Sequence, residues 1–202
     1  MTVTIESTSY PILTAIIGNN SDMMENIFKI HVKEKSTVAD VTFGRGVFWK
    51  KIDESKYSIL KSDIQAGIDF RSLPYDGHTL DVLILDPPYM HGGKTIKTSI
   101  NECYKNQNDS HESIIRLYAG GILEASRVLK KNGIIIIKTQ DEIESGKQRF
   151  SHIEIINLLT IFGFQIIDLF VLVQTSIPTM REKYQKTARK NHSYTIVGRY
   201  IR

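Results

Sequence analysis

Four consecutive isoleucines, residues 134–137, limit what this chain can fold into. Their β-branched side chains favour a strand. A run that is apolar on both faces needs cover on both faces, which is the position of a central strand in a parallel sheet. The chain must therefore supply further buried strands beside this one, and helices above and below them.

The remaining sequence offers such elements. Residues 38–42, 57–60 and 80–85 read as short buried strands. Ile114, Tyr118, Ile122, Ala125 and Leu129 recur at helical spacing, and Asn132-Gly133 reads as the stop of that helix. Residues 152–162 read as another helix, ended at Gly163, and residues 11–30 as an N-terminal one. Residues 164–173 and 193–200 read as two long final strands, joined by the extended loop 174–192 at a sheet edge. Strands alternating with helices predict an α/β fold: a mostly parallel twisted sheet, helices on both faces, and an antiparallel final strand. At 202 residues, with no repeat, low-complexity tract or linker, a single domain is expected.

Composition narrows the chemistry. Cys103 is the lone cysteine, which excludes an internal disulfide and a thiolate zinc cluster. His91, His111, His152 and His192 lack metal-ligand spacing, so no metal is expected. No apolar stretch reaches about 18 residues and the start lacks the order of a signal peptide. A soluble cytoplasmic protein that does not engage a membrane is the expectation. The net charge of +4 is unevenly spread: residues 181–202 hold seven bases against Glu182 alone, leaving the rest of the chain slightly acidic. Basic residues interleaved with Tyr184, His192 and Tyr194 suit a phosphate backbone beside a stacked base, and equally an ordinary solvated tail.

In open α/β sheets ligands bind outside the carboxyl ends of the strands. That rule selects the residues just after Asp40, Leu60, Leu85 and Ile137. After the first strand, Thr42, Gly44 and Gly46 form a loop in which glycines permit a tight turn and close approach of a ligand. Trp49 stands where a dinucleotide fingerprint needs its third glycine, which disfavours a nicotinamide enzyme. The loop suits an uncharged or zwitterionic ligand, with Asp40 accepting from an ammonium or from backbone amides. Asp63 follows the next strand, where a ribose diol is commonly held, and Asp69 is placed to accept from an exocyclic adenine amine. Each of these carboxylates alone is also an ordinary turn former or cap.

The strand at residues 80–85 runs into Asp86-Pro87-Pro88-Tyr89. Two prolines stiffen the chain and remove two backbone donors. The Asp86 side chain and the Pro87 carbonyl then form a pair of acceptors beside a stacking ring, Tyr89. That combination suits an exocyclic NH2 of a nucleobase. Its lone pair is delocalised, and two acceptors on its protons localise that pair as it attacks, so the stabilisation falls on the transition state.

Asp86-Pro87-Pro88-Tyr89, preceded by Asp40-Val41-Thr42-Phe43-Gly44-Arg45-Gly46, resembles the amino-methyltransferases that use S-adenosylmethionine to methylate adenine N6 or cytosine N4. The family's glycine motif runs Asp-Pro-Phe-x-Gly-x-Gly. Here the acid and both glycines match, and Val41 and Thr42 replace the proline and phenylalanine. The match spans residues 38–140. It implies a Rossmann-like class I methyltransferase fold, S-adenosylmethionine as cofactor, and direct transfer without a covalent enzyme intermediate. It further implies Asp86, Pro87, Pro88 and Tyr89 as the catalytic loop, and Asp at position 86 favours adenine. Asn20 or Ser21 is expected near the cofactor's carboxylate.

About forty residues separate the two motifs, so no target-recognition domain fits between them. Substrate contacts are expected from residues 90–110, with Lys94, Lys97, Tyr104 and Lys105, and from residues 174–192, with Arg181, Lys186, Arg189, Lys190 and His192. The partner expected is DNA, with RNA as the alternative, and a homodimer or a partner subunit would supply specificity. The competing readings are an RNA adenine-N6 or cytosine-N4 methyltransferase, and a catalytically silent nucleic-acid-binding subunit.

Overall fold

The computed structural model describes residues 11–89, 110–175, 184 and 186–202. In chain order these residues form β1 (Ala15–Ile17), α1 (Asn20–His31), β2 (Thr37–Asp40), β3 (Ser58–Lys61) and β4 (Leu80–Leu85). They continue with α2 (His111–Val128), β5 (Leu129–Thr139), the small hairpin β6 (Glu142–Glu144) and β7 (Lys147–Arg149), α3 (Ser151–Ile161), β8 (Phe164–Val173) and β9 (His192–Tyr200).

Seven strands make one sheet in the order β1-β8-β9-β5-β4-β2-β3. Every neighbouring pair is parallel except those made by β9, which runs antiparallel to both β5 and β8. This is the expected sheet, with one difference. The long final pair does not form its edge, because β1 adds outside β8 through Ala15↔Val171 to Ile17↔Val173.

The isoleucine run behaves as its chemistry requires. Ile134 and Ile136 pack with Met23, Met24 and Ile27 of α1, while Ile135 and Ile137 pack with Ile114, Tyr118 and Ile122 of α2. Alternation thus divides the run between two cores, one on each face of the sheet. Ile135 and Ile137 are fully buried, and each contributes about 1.5–3 kcal/mol relative to an exposed side chain.

Two local expectations are corrected. Residues 11–30 are not one helix: β1 comes first, and the helix starts only at Asn20, where the Asn19 side chain caps the amides of Ser21 and Asp22. A capping box with Asp22 fixes that start more strongly than the apolar residues upstream could extend it. Asn132-Gly133 is not a helix stop either. α2 gives way directly to β5 at Leu129, and Asn132, at φ +65, lies inside the strand. Left-handed backbone there bulges β5 outward, shifting the register with β4 between the pairs Leu80↔Leu129 and Val82↔Ile134. The β6–β7 hairpin has no counterpart in the sequence reading.

α2 and the hairpin are fastened through one imidazole. His111 is buried, and its Nδ1 lies 3.0 Å from Glu142 and its Nε2 2.8 Å from Glu154 of α3, while its backbone amide donates to Glu144 at 2.8 Å. Arg149 closes the cluster on Glu144 at 2.7 Å and Glu112 at 2.9 Å. No helix among the described residues is long and apolar enough to cross a membrane.

Candidate active site

Three adjacent strands end side by side. β2 stops at Asp40, paired with Ile84 of β4, and β4 ends one residue further at Leu85, directly before Asp86. The pair Leu85↔Ile137 sets the next residues beside each other, Asp86 just past the end of β4 and Lys138 on β5. The loops that leave these strands meet across them.

The glycine loop is tied at both ends. Thr42 accepts from the Asp86 amide through its hydroxyl at 2.7 Å, joining this loop to the Asp86–Tyr89 loop. On the other side, Asp63 accepts from the Gly44 amide at 2.9 Å and from the Gln65 amide at 2.6 Å. Asp63 thus fixes the loop to the exit of β3, and being only half-buried it keeps lone pairs for a further donor. Gly44 and Gly46 have φ of +50 and +65, a left-handed region that glycine enters without penalty.

Asp40 closes β2, at the strand end where the sequence reading put it. Its carboxylate is buried and faces inward, accepting from the Trp49 indole at 2.7 Å and the Thr42 amide at 3.2 Å. Of the two donors considered for it, a backbone amide is present, and the second is an indole. Trp49, noted in the sequence only for replacing a glycine, therefore has a definite task. Burial pushes Asp40 up to about 6, against the lowering effect of the Trp49 and Thr42 hydrogen bonds. Asp69 is engaged as well: Arg71 forks onto it, with Nη2 at 2.6 Å and Nε at 3.0 Å. That guanidinium holds the Asp69 carboxyl below its ordinary value, and a ligand amine would have to share the carboxylate with it.

Asp86 Oδ1 is buried and makes no hydrogen bond among the described residues. Among the described residues its nearest charge is the Lys138 ammonium at 3.6 Å, beyond hydrogen-bond distance. Burial raises the Asp86 carboxyl above its ordinary value, with Lys138 pulling the other way. Lys138 itself is 4% exposed, lies 3.4 Å from the Tyr89 hydroxyl, and sits over the Tyr89 ring at 4.7 Å from its centroid. Tyr118 of α2 donates to the Lys138 carbonyl at 2.7 Å, holding that strand end from below. Pro87 is buried, and Pro88 and Tyr89 are half-buried, Tyr89 against the core shared with α2.

The sequence reading missed Lys138, although the rule about strand ends pointed to the residue after Ile137. A lysine closing a four-isoleucine run, one register step from Asp86, was the available signal. Asn20 begins α1, and its side-chain Oδ1 is buried without a partner. Lys186 and Arg189 are exposed, Lys190 and His192 half-buried, and His192 opens β9. The His192 carbonyl accepts from Gln140 at 2.8 Å, which draws this segment to the end of β5. Lys94 and Arg181 lie outside the described residues, as do Lys97, Cys103, Tyr104 and Lys105. No cluster of three or more potential metal-ligating side chains occurs among the described residues.

No protein-family model matches the chain, and no curated protein matches its sequence. Solved structures do match its fold. An S-adenosylmethionine-dependent methyltransferase from Methanosarcina mazei aligns at 15% identity and a TM-score of 0.54, over 87% of this chain and 97% of that one. A chain in complex with the Haloferax volcanii Trm112 methyltransferase activator aligns at 14% identity and 0.54, over 90% and 94%. The cyclase SpnF aligns at 14% identity and 0.56, over 90% and 80%. The chain has the Rossmann-like fold of these methyltransferases. A cyclase shares that fold, so the reaction has to be argued from the site.

Proposed function

We propose that the protein is an S-adenosylmethionine-dependent methyltransferase acting on the exocyclic amino group of a nucleobase, adenine N6 in DNA. The observation that carries this reading is Asp86, a half-buried carboxylate whose buried Oδ1 has no hydrogen-bond partner among the described residues, on a proline-stiffened loop beside a half-buried tyrosine. A buried acceptor left open is costly unless a ligand supplies a donor.

S-adenosylmethionine would supply an electrophilic methyl on a sulfonium centre. The residues present fit it: the loop with Gly44 and Gly46 presents backbone at the strand ends, and half-buried Asp63 has acceptor capacity for hydroxyls. Asp86 would accept from the substrate NH2 and orient its nitrogen lone pair. Methyl transfer to that pair would leave the S–C electrons on sulfur as a neutral thioether, with Asp86 holding the nitrogen towards the methyl. The proton released from nitrogen passes to the Asp86 carboxylate and then to solvent. Tyr89 would stack on the base, and Pro87 and Pro88 keep the loop rigid.

Charge favours a neutral amine. Lys138 offsets Asp86, so a protonated alkylamine entering the site would meet a cation 3.6 Å from its acceptor. A nucleobase amine carries no such charge. Beside the site, Lys186, Arg189, Lys190 and His192 lead into β9, one strand from β5, where they would contact phosphates. A base in a duplex must be flipped out to reach Asp86, which costs a few kcal/mol. The chain acts in this reading as a single catalytic domain, with specificity supplied by a second copy or a partner subunit.

Calorimetric titration with S-adenosylmethionine tests the cofactor, and saturable binding is expected. Reversing the charges of Arg189 and Lys190 tests the partner: DNA binding should weaken and its salt dependence flatten. Absence of cofactor binding, or DNA binding unchanged across a salt series, contradicts the corresponding part.

A further inference from the structure

We propose that Lys138 is a positioning residue for this transfer, holding Asp86 as an ionised acceptor and fixing the Tyr89 ring beside it. The inference rests on the function proposed above and adds a residue that the Asp86–Tyr89 motif does not contain.

An ammonium 4% exposed at the end of an isoleucine run is expensive, since desolvating a charge costs several kcal/mol unless an anion and hydrogen bonds offset it. For packing alone, a fifth apolar residue would serve better. The offsetting anion is Asp86, and the spacing is informative. At 3.6 Å the ammonium attracts the carboxylate without consuming the Oδ1 lone pairs that a substrate N–H needs. On its other side it lies 3.4 Å from the Tyr89 hydroxyl and over that ring, a cation–π contact that sets the plane of the stacking surface. One side chain thus governs the acceptor and the platform together. Its own place is fixed by strand register, by the Tyr118 hydroxyl on its carbonyl, and by pairing with Thr195 of β9.

The other titratable groups acting on Asp86 oppose ionisation. Asp40 on β2 is coupled to Asp86 by like-charge repulsion, and Tyr118 on α2 would add a second negative charge if ionised. Among the described residues, Lys138 is the cation that favours the charged form of Asp86. A protonated Asp86 would present a donor to the amine and lose its role as acceptor.

The experiment follows the carboxyl 13C resonance of Asp86 with pH in the wild-type protein, Lys138→Gln and Lys138→Arg, alongside pH–rate profiles for methyl transfer. Lys138→Gln should raise the Asp86 midpoint, and with it the acid limb of the profile, by about one to three pH units. Lys138→Arg should restore most of the shift, and S-adenosylmethionine affinity should stay close to wild type in both. Should Lys138→Gln fail to fold, the reciprocal measurement serves: Asp86→Asn should lower the Lys138 ammonium titration by a similar amount, as linkage requires. Unmoved titrations, or a uniform loss of rate with no shift of the acid limb, overturn the positioning role. Absence of nucleobase methylation by the wild-type enzyme overturns the function and this role together. Methylation with unmoved titrations overturns this role alone.

Discussion

The Thr42 hydroxyl accepts a hydrogen bond from the Asp86 backbone amide at 2.7 Å, so the glycine loop and the Asp86–Tyr89 loop are coupled through one side chain. Thr42→Val keeps the shape and removes the acceptor, leaving the Asp86 amide unsatisfied at a cost of about 1–3 kcal/mol. We expect the melting temperature to fall by a few degrees and kcat to drop by about tenfold or more. Thr42→Ser, which keeps the hydroxyl, should recover most of both. Thermal melts and steady-state rates of the two variants check this.

Gly44 and Gly46 share a left-handed backbone but differ in surroundings. A Cβ at Gly46 would stand 2.7 Å from the Phe43 ring, whereas at Gly44 nothing lies nearer than a carbonyl at 3.8 Å. Gly44→Ala should therefore cost only the backbone penalty, about 1–2 kcal/mol. Gly46→Ala should cost more and should weaken S-adenosylmethionine binding further, because Phe43 must move. Denaturant melts paired with calorimetry would rank the two, and equal losses would contradict the geometry.

Asp40 gives the fold a pH dependence of known sign. Its carboxyl is raised from 3.8 to about 6, so the folded state binds a proton more tightly than the unfolded chain. Stability from this group is therefore present below about pH 4 and lost as pH climbs through 6. Asp40→Asn does not titrate there. Relative to wild type, its stability should improve between pH 4 and 7 by up to about 3 kcal/mol, at 1.36 kcal/mol per unit. Denaturant melts across that range measure it, with the single tryptophan, Trp49, as the fluorescent reporter beside the group.

Much of this architecture was legible in the sequence because burial writes itself into side-chain patterns. The isoleucine run, the strand of residues 80–85 and the helical spacing from Ile114 to Ala125 all have one physical solution. β1 was not legible, because its three residues hydrogen-bond only along β8 and are too few for their alternation to stand out. The bulge at Asn132 uses the same residues as a helix stop, and only pairing with β4 distinguishes the two. At the site, strand-end logic singled out the glycine loop, Asp63 and Asp86. It could not show that Trp49 and Arg71 already occupy Asp40 and Asp69, since those contacts depend on side-chain directions within loops. Lys138 needed the β4–β5 register to be seen as a neighbour of Asp86.

The His111 cluster should weaken as pH rises. Its glutamate partners outweigh burial and hold the imidazole above its ordinary 6.5. The stability it contributes is complete below 6.5 and is lost as pH rises through the folded value. Replacing His111 with glutamine should flatten that decline, and melting curves from pH 6 to 9 would show it. A wild-type decline that persists unchanged in the variant would place its origin elsewhere.

The central claim is methyl transfer to a base amine at Asp86. The direct measurement incubates wild-type protein and Asp86→Ala with isotope-labelled S-adenosylmethionine and either DNA or RNA, digests the polymer, and identifies labelled nucleosides by mass spectrometry. The account predicts labelled N6-methyladenine in DNA from the wild-type protein and none from Asp86→Ala, with cofactor binding retained in the variant. Undiminished label with Asp86→Ala, or no labelled base from the wild-type protein on either polymer, would contradict it.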